Sequence, residues 1–305
     1  MSTLVSDLLG KFNISFVVNL FSNKLILRYK TVSGCKLTLK DGIFDANIIL
    51  HLYYGKGGVI VFDKPITRIS QVAFLENNDL EEIAIPDGVT IIEDRAFCLC
   101  KNLNQVSLSK NLTTLEYSAF AGCKKLVEIT IPDSVTEVGS SCFYECENLI
   151  RVTIGCGVTS IEDHAFFCCR KLKRVNIPES VTKIGKYAFN GCSLKRITIP
   201  DNVCTISEGA FRYCRKLKEV RLGKNITDIY IWAFHACEKL EEFYCNAEIP
   251  PYVDSIAFTT NDYDSGKIVP ISTNILYVPP KTVNAYKQAD RWSAFAKYIK
   301  PNPYL

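Results

Sequence analysis

The chain has 305 residues, 48% of them apolar, with a net charge of +4 and fourteen cysteines. That composition excludes a disordered chain, and the charge is too mild to point to nucleic acid by itself. No apolar run reaches the roughly 18 residues that a membrane span needs.

Taken in chain order, the N-terminus lacks the pattern of a signal peptide. Asp7 and Lys11 interrupt its apolar residues, Asn13, Ser15 and Asn19 break the stretch Phe12 to Phe21, and no small-residue cleavage site follows. A partner-binding or membrane-surface helix over residues 1–22 is the alternative, but its polar residues segregate poorly. Leu25 to Tyr29 and Cys35 to Leu39 read as two strands of a hairpin around Ser33-Gly34, and Gly55 to Gly58 reads as a turn into Val59. Residues 1–58 are therefore expected to form an N-terminal cap or small module.

From residue 59 to 258 the chain repeats. Phe74, Phe97, Phe120, Phe143, Phe166, Phe189, Phe211, Phe234 and Phe258 recur at intervals of 23 residues, save one of 22 and a last one of 24. Each follows an alanine except Phe143, which follows Cys142. Three positions after the Phe stands Cys100, Cys123, Cys146, Cys169, Cys192, Cys214 or Cys237, with Asn77 in the first copy; a leucine comes next, from Leu80 to Leu240. A missing residue between Cys192 and Leu194 explains the 22-residue interval. Alternating pairs such as Ile129/Ile131 and Val152/Ile154 then read as a short strand with one buried face, and Pro86, Pro132, Pro178 and Pro200 stop it. A second apolar pair follows, as in Val135/Val138, before Ala-Phe turns the corner. One such unit cannot bury its own apolar side. Stacked copies convert each Leu, Ile and Phe position into a continuous core, about 4.8 Å per strand and on the order of 40 Å for nine copies.

The cysteines are expected to be reduced and buried. At a tight corner a thiol packs as a small hydrophobe and can help satisfy a backbone carbonyl, a task Asn77 could share. Neighbouring copies hold their Cβ atoms about one strand spacing apart, beyond the ~3.5–4.5 Å of a disulfide. Cys98-x-Cys100 and Cys168-Cys169 lack a second ligand pair for zinc. Residues 259–305 leave the pattern and are expected to cap the stack. Thr259 to Ser272 reads as a loop, Tyr277 and Val278 as a last strand, and Val283 to Ala296 as a short helix. Tyr286, Trp292 and Phe295 would cover the last copy, and Pro301 and Pro303 bar continuation. An aromatic ligand platform is the alternative use of Trp292 and the tyrosines.

The run Thr136-x-Val138-Gly139-x-x-Cys142-Phe143-x-x-Cys146-x-x-Leu149-x-x-Val152-x-Ile154, with Ile131-Pro132-Asp133-Ser134-Val135 before it, resembles the BspA-like leucine-rich repeat family. The resemblance covers residues 59 to about 258. Leu276-Tyr277-Val278-Pro279, Val283, Ala285-Tyr286-Lys287, Trp292 and Phe295 resemble the terminal segment of such proteins. It implies a right-handed, β-rich leucine-rich repeat solenoid with N- and C-terminal caps. It also implies adhesion or protein binding at the cell surface or outside the cell, without catalytic residues to carry over. Against that location, the absence of a clear signal peptide keeps a cytoplasmic protein as the alternative.

Little chemistry is visible. His51, His164 and His235 are scattered, and only His164 near Cys168 and Cys169 hints at a thiol nucleophile. There is no phosphate loop, metal cluster or triad, and Glu81-Glu82 and Glu241-Glu242 read as solvated charges. No catalysis and no cofactor are expected. The informative surface is the outward side of the strand, where Glu128/Thr130, Arg151/Thr153, Arg174/Asn176, Arg196/Thr198 and Glu219/Arg221 succeed one another. Residues 151–224 carry fifteen Lys/Arg against six Asp/Glu, so the positive charge is concentrated there. The candidate binding residues are Arg151, Lys173, Arg174, Lys195, Arg196, Lys218 and Arg221. Small Thr153, Asn176 and Thr198 leave room beside them for a ligand. The expected partner is an acidic protein surface or an anionic glycan. Nucleic acid is not expected, because aromatics do not interleave the column. The alternatives are solvated charges copied by repeat duplication, assembly through the caps, and a thiol enzyme using Cys168 or Cys169 with His164.

Overall fold

A computed structural model describes residues 25–54, 57–259 and 275–305. The expectations for residues 1–22, for Gly55 and Lys56 and for most of the loop from Thr259 to Ser272 lie outside these residues. Each repeat forms one coil of a β-solenoid. Its outward-facing strand alternates exposed and buried residues, as in Glu128–Ile131 and Arg151–Ile154, which pair in parallel register. The same offset continues through Arg174–Val175 and, after a break, through Arg196–Thr198, Glu219–Leu222 and Glu242–Cys245. The second apolar pair of each coil, assigned no strand from sequence, adds a two-residue strand to a second column, which is divided into a six-stranded and a three-stranded sheet. Arg68–Ile69, Ile91–Ile92, Thr114–Leu115, Glu137–Val138, Ser160–Ile161 and Lys183–Ile184 are joined in parallel in the first of these.

At the corner the eight successive contacts between the nine phenylalanine rings have centroids 5.0–5.5 Å apart and planes within 9°. Burying each ring contributes about 1.5–3 kcal/mol. The backbone here alternates its hydrogen bonds. The Phe97 and Leu99 N–H groups reach the Ala119 and Ala121 carbonyls of the next coil, while Cys98 and Cys100 close turns onto Arg95 and Phe97. This geometry puts the residues two before and two after the Phe at positive φ in eight coils, from Val72 and Glu76 to Trp232 and Ala236. Only Gly122, Gly191 and Gly209 are glycines among them.

The cysteine column is buried and free. Each thiol donates to the Phe carbonyl of the coil before: Cys123 to Phe97, Cys146 to Phe120 and Cys169 to Phe143, all at 3.2 Å. That carbonyl already accepts the N–H of its own coil's cysteine, so the thiol occupies its second lone pair. Asn77 works differently. Its Oδ1 accepts the Asp79 and Leu80 N–H groups, because no earlier Ala-Phe corner offers it a carbonyl.

The strand column breaks at the 22-residue coil, where Arg174–Val175 and Arg196–Thr198 belong to separate sheets. Asn176 stops the first of these. Its side chain both donates to the Ile154 carbonyl and accepts the Ile154 N–H, each at 2.9 Å, so it is bound to the sheet rather than leaving space beside the arginines. Ser193 keeps the shortened corner tied by donating to the Arg170 carbonyl.

At the N-terminal end the expected hairpin around Ser33-Gly34 is not formed. β1 (Ile26–Thr31) pairs antiparallel with both β3 (Gly57–Phe62) and the strand Leu80–Ala84. Residues 35–39 are not a strand. Side chains hold this stretch instead: Ser33 donates to Asp79, Thr31 donates to the Cys35 carbonyl, and the Leu37 N–H donates to the Tyr29 hydroxyl. The hairpin partner of β3 is β2 (Ile48–Tyr54). At the other end Ile275–Val278 adds to Glu242–Cys245, and Ile299–Pro301 adds to it in turn. The expected helix over 283–296 is broken. An α-helix spans Val283–Gln288 and a 3-10 segment spans Trp292–Tyr298, with Arg291 at positive φ between them. The bend lets the buried Tyr286 and Trp292 donate to the Ala247 and Pro251 carbonyls while Phe295 packs edge-on against Phe258.

Candidate functional site

The outward strand residues stand in columns because each coil repeats the last. Glu128, Arg151 and Arg174 are in direct register, as are Arg196, Glu219 and Glu242. One position earlier, backbone bonds line up Val127, Ile150 and Lys173, then Lys195, Lys218 and Glu241. All seven candidate cations lie on this face, but they are not equivalent. Arg196 pairs with Glu219 at 3.1 Å, Lys218 with Glu241 at 2.7 Å and Arg221 with Glu219 at 2.6 Å. Arg221 also lies 3.9 Å over the ring of Tyr244, which stacks on Tyr277. Arg151, Lys173, Arg174 and Lys195 are exposed, and among the described residues no carboxylate lies within ion-pair distance of any of them. Arg151 and Arg174 are thus like charges on adjacent strands, an arrangement that costs a few tenths to 1 kcal/mol unless a ligand offsets it.

Two further residues of this surface are apolar. Val127 and Ile150 are exposed next to the free arginines. In sequence they look like the core leucine-isoleucine pairs around them; the signal that separates them is their place just before the strand's alternation begins.

The thiol pairing is not assembled. Cys169 is buried and donates to Phe143, and burial holds its thiol well above the ordinary range. Cys168 is half-buried and raised in the same way. The His164 ring stacks on Tyr187 and tilts against Phe167. His51 accepts or donates one hydrogen bond with the Tyr29 hydroxyl at 2.8 Å, and burial lowers it to about 4. Among the described residues no group of three His, Cys, Asp or Glu side chains is placed to hold a metal ion. No helix among them is long and apolar enough to cross a membrane.

The family profile described as BspA type Leucine rich repeat region matches residues 67–194 and 159–275, in six copies. Among solved structures, a leucine rich repeat protein of T. pallidum is 28% identical over 52% of this chain and 77% of that one, with a TM-score of 0.49. The pneumococcal vaccine antigen PcpA is 18% identical over 73% of this chain and 66% of that one, with a TM-score of 0.36. A leucine rich cell surface protein of Faecalibacterium prausnitzii is 19% identical over 90% of this chain and 100% of that one, with a TM-score of 0.31. No curated protein matches the chain.

Proposed function

Because the chain belongs to the BspA type leucine rich repeat family, matched from residue 67 to 275, we propose that it is a non-catalytic binding scaffold whose strand face takes the acidic surface of a protein partner. The contact residues are Arg151, Lys173, Arg174 and Lys195, with Val127 and Ile150 beside them. Arg196, Lys218 and Arg221 form a flank already engaged by Glu219 and Glu241. In this reading residues 1–58 and 259–305 close the ends of the stack.

The observation that carries the proposal is the in-register pair Arg151 and Arg174, exposed and without a carboxylate among the described residues. The coils that follow show that this geometry can bring an acid onto an arginine, as Glu219 does to Arg196, whereas Glu128, in register beside Arg151, stays outside ion-pair distance. A protein is favoured over an anionic glycan because Val127 and Ile150 add exposed apolar area beside the arginines, and protein interfaces cover apolar area at the centre and favour Arg among the charged residues. The family and its solenoid folds are typically non-enzymatic, and typically found at the cell surface. The cysteines favour a second reading of location: Cys35, Cys156 and Cys204 are exposed free thiols, which suits a reducing compartment. Trapping the thiol state in intact cells separates the two locations.

The test of the partner class is Ile150→Asn, measured against an acidic peptide carrying apolar residues and against a sulfated glycan. Weakened peptide binding with glycan binding unchanged supports the reading. Tight glycan binding with no measurable peptide binding overturns it.

A further inference from the structure

The two ends of the strand stack are finished differently. At the C-terminal end the outermost strand, Ile299–Pro301, has three residues, of which Lys300 is exposed and Pro301 has no N–H to offer. Shortness, lysine and proline are the devices by which sheet edges avoid pairing with other chains. At the N-terminal end the outermost strand is β2, and among the described residues its only strand partner is β3. β2 is seven residues long, reads Ile-Ile-Leu-His-Leu-Tyr-Tyr, and carries no Lys, Arg, Asp, Glu or Pro. A register shift between Ile48 and Leu50 leaves Leu50 to Tyr54 as an unbroken ladder. Its one imidazole, His51, is turned to the Tyr29 hydroxyl and kept neutral by burial at physiological pH. Leu50, Leu52 and Tyr54 share a face with Val59 and Val61, to which the register pairs them or their neighbours. Its second edge thus leaves a row of backbone donors and acceptors without strand partners among the described residues.

We propose that β2 is a dimerisation edge: it pairs antiparallel with β2 of a second copy of this chain, so that the two N-terminal sheets run on as one. Three features select this occupant. An uncharged strand meets its own copy without like-charge repulsion. The sheet around β2 is already antiparallel, the orientation that a two-fold axis imposes on a strand facing itself. The guarded C-terminal edge disfavours head-to-tail stacking into a filament, so the contact closes at two copies. Main-chain hydrogen bonds supply the attraction and the side chains at Leu50, Leu52 and Tyr54 set the register. This inference is independent of the basic patch, and either can fail alone.

The experiment is light scattering coupled to size exclusion on the full chain between about 1 and 100 μM, for wild type, Leu52→Lys, Tyr54→Lys and Lys300→Glu. The expected result is a two-chain mass for wild type and Lys300→Glu. The lysine variants should raise the dissociation constant at least ~10-fold with unchanged circular dichroism. A wild-type monomer throughout the range, or a dimer equally strong in both lysine variants, overturns the proposal. If both lysine variants misfold, amide exchange of wild type decides. Protection of residues 48–54 that grows with protein concentration supports the dimer, and protection independent of concentration overturns it.

Discussion

Alanine at Gly209 should destabilise the solenoid more than alanine at Gly191, and the excess should depend on Tyr187. Both glycines occupy left-handed corner positions, at φ +58 and +73. A side chain there costs roughly 1–2 kcal/mol, of which about 0.4–1 kcal/mol is returned because alanine restricts the unfolded chain. At Gly191 an added Cβ would lie 3.4 Å from the Cys168 Sγ, an ordinary contact, so the net cost is about 0.5–1 kcal/mol. At Gly209 the Cβ would lie 2.3 Å from Cε1 and 2.4 Å from Cδ1 of Tyr187. The ring must swing out, giving up its 2.5 Å hydrogen bond to Glu208 and its stack on His164. That raises the expected cost to about 2–3 kcal/mol, the Glu208 bond being taken at the low end because Tyr187 is partly exposed. Urea unfolding with a shared slope measures both variants. Placed on a Tyr187→Ala background, Gly209→Ala should fall back to about 1 kcal/mol. Equal costs at the two glycines, or no relief on that background, would refute the reasoning.

Thiol titration of native protein should label Cys35 and Cys204 fast, Cys156 more slowly because Asp133 pushes its thiol up, and the corner column only on unfolding; burial holds Cys100 and Cys214 at about 12, and rapid labelling of either contradicts the packing. Phe166→Leu stays apolar with a modest loss of volume but loses two ring contacts of 5.3 Å, so it should cost about 1–3 kcal/mol by denaturation, and a neutral result would mean that ring stacking adds nothing to burial. His51 binds its proton less readily folded than unfolded, so its contribution to stability should decline as pH falls from about 6.5 toward about 4, by at most one proton of slope, on top of slope from His235 and from carboxylates such as Glu208 that are also lowered. His51→Gln should remove that share of the slope, and an unchanged slope would contradict the burial of the His51 ring.

The coil was legible because its period is carried by residues that must be buried: Phe, Cys and Leu recur at one spacing, and the strand alternates beside them. What escaped has physical reasons. A two-residue strand such as Glu137–Val138 is too short to show a period, so the second column looked like an isolated apolar pair. Ile48–Tyr54 is apolar apart from His51 and shows no alternation, whereas the alternating stretch Cys35 to Leu39 is held by side chains instead of a ladder. Thirteen of the sixteen left-handed corner positions are filled by residues other than glycine, Val72, Arg95, His164 and Trp232 among them, so glycine does not mark the corner. The basic patch was read by adding charges, which treats seven cations alike. The one-coil offset of 23 residues brings Arg196 to Glu219 and Lys218 to Glu241, but it equally sets Glu128 beside Arg151, which do not pair, so the division among the cations was not legible in the numbering.

The most direct test of the account compares two double reversals of equal charge. Arg151→Glu with Arg174→Glu removes the free pair, while Arg196→Glu with Lys218→Glu alters cations that already have acids beside them. Binding of polyglutamate is measured for both and for wild type at about 150 mM salt, where screening over ~8 Å suppresses the effect of net charge alone. The expected result is a loss of at least ~10-fold for the first variant and less than ~3-fold for the second. Equal losses, or a greater loss in the second, would contradict the assignment of the binding face to Arg151 and Arg174.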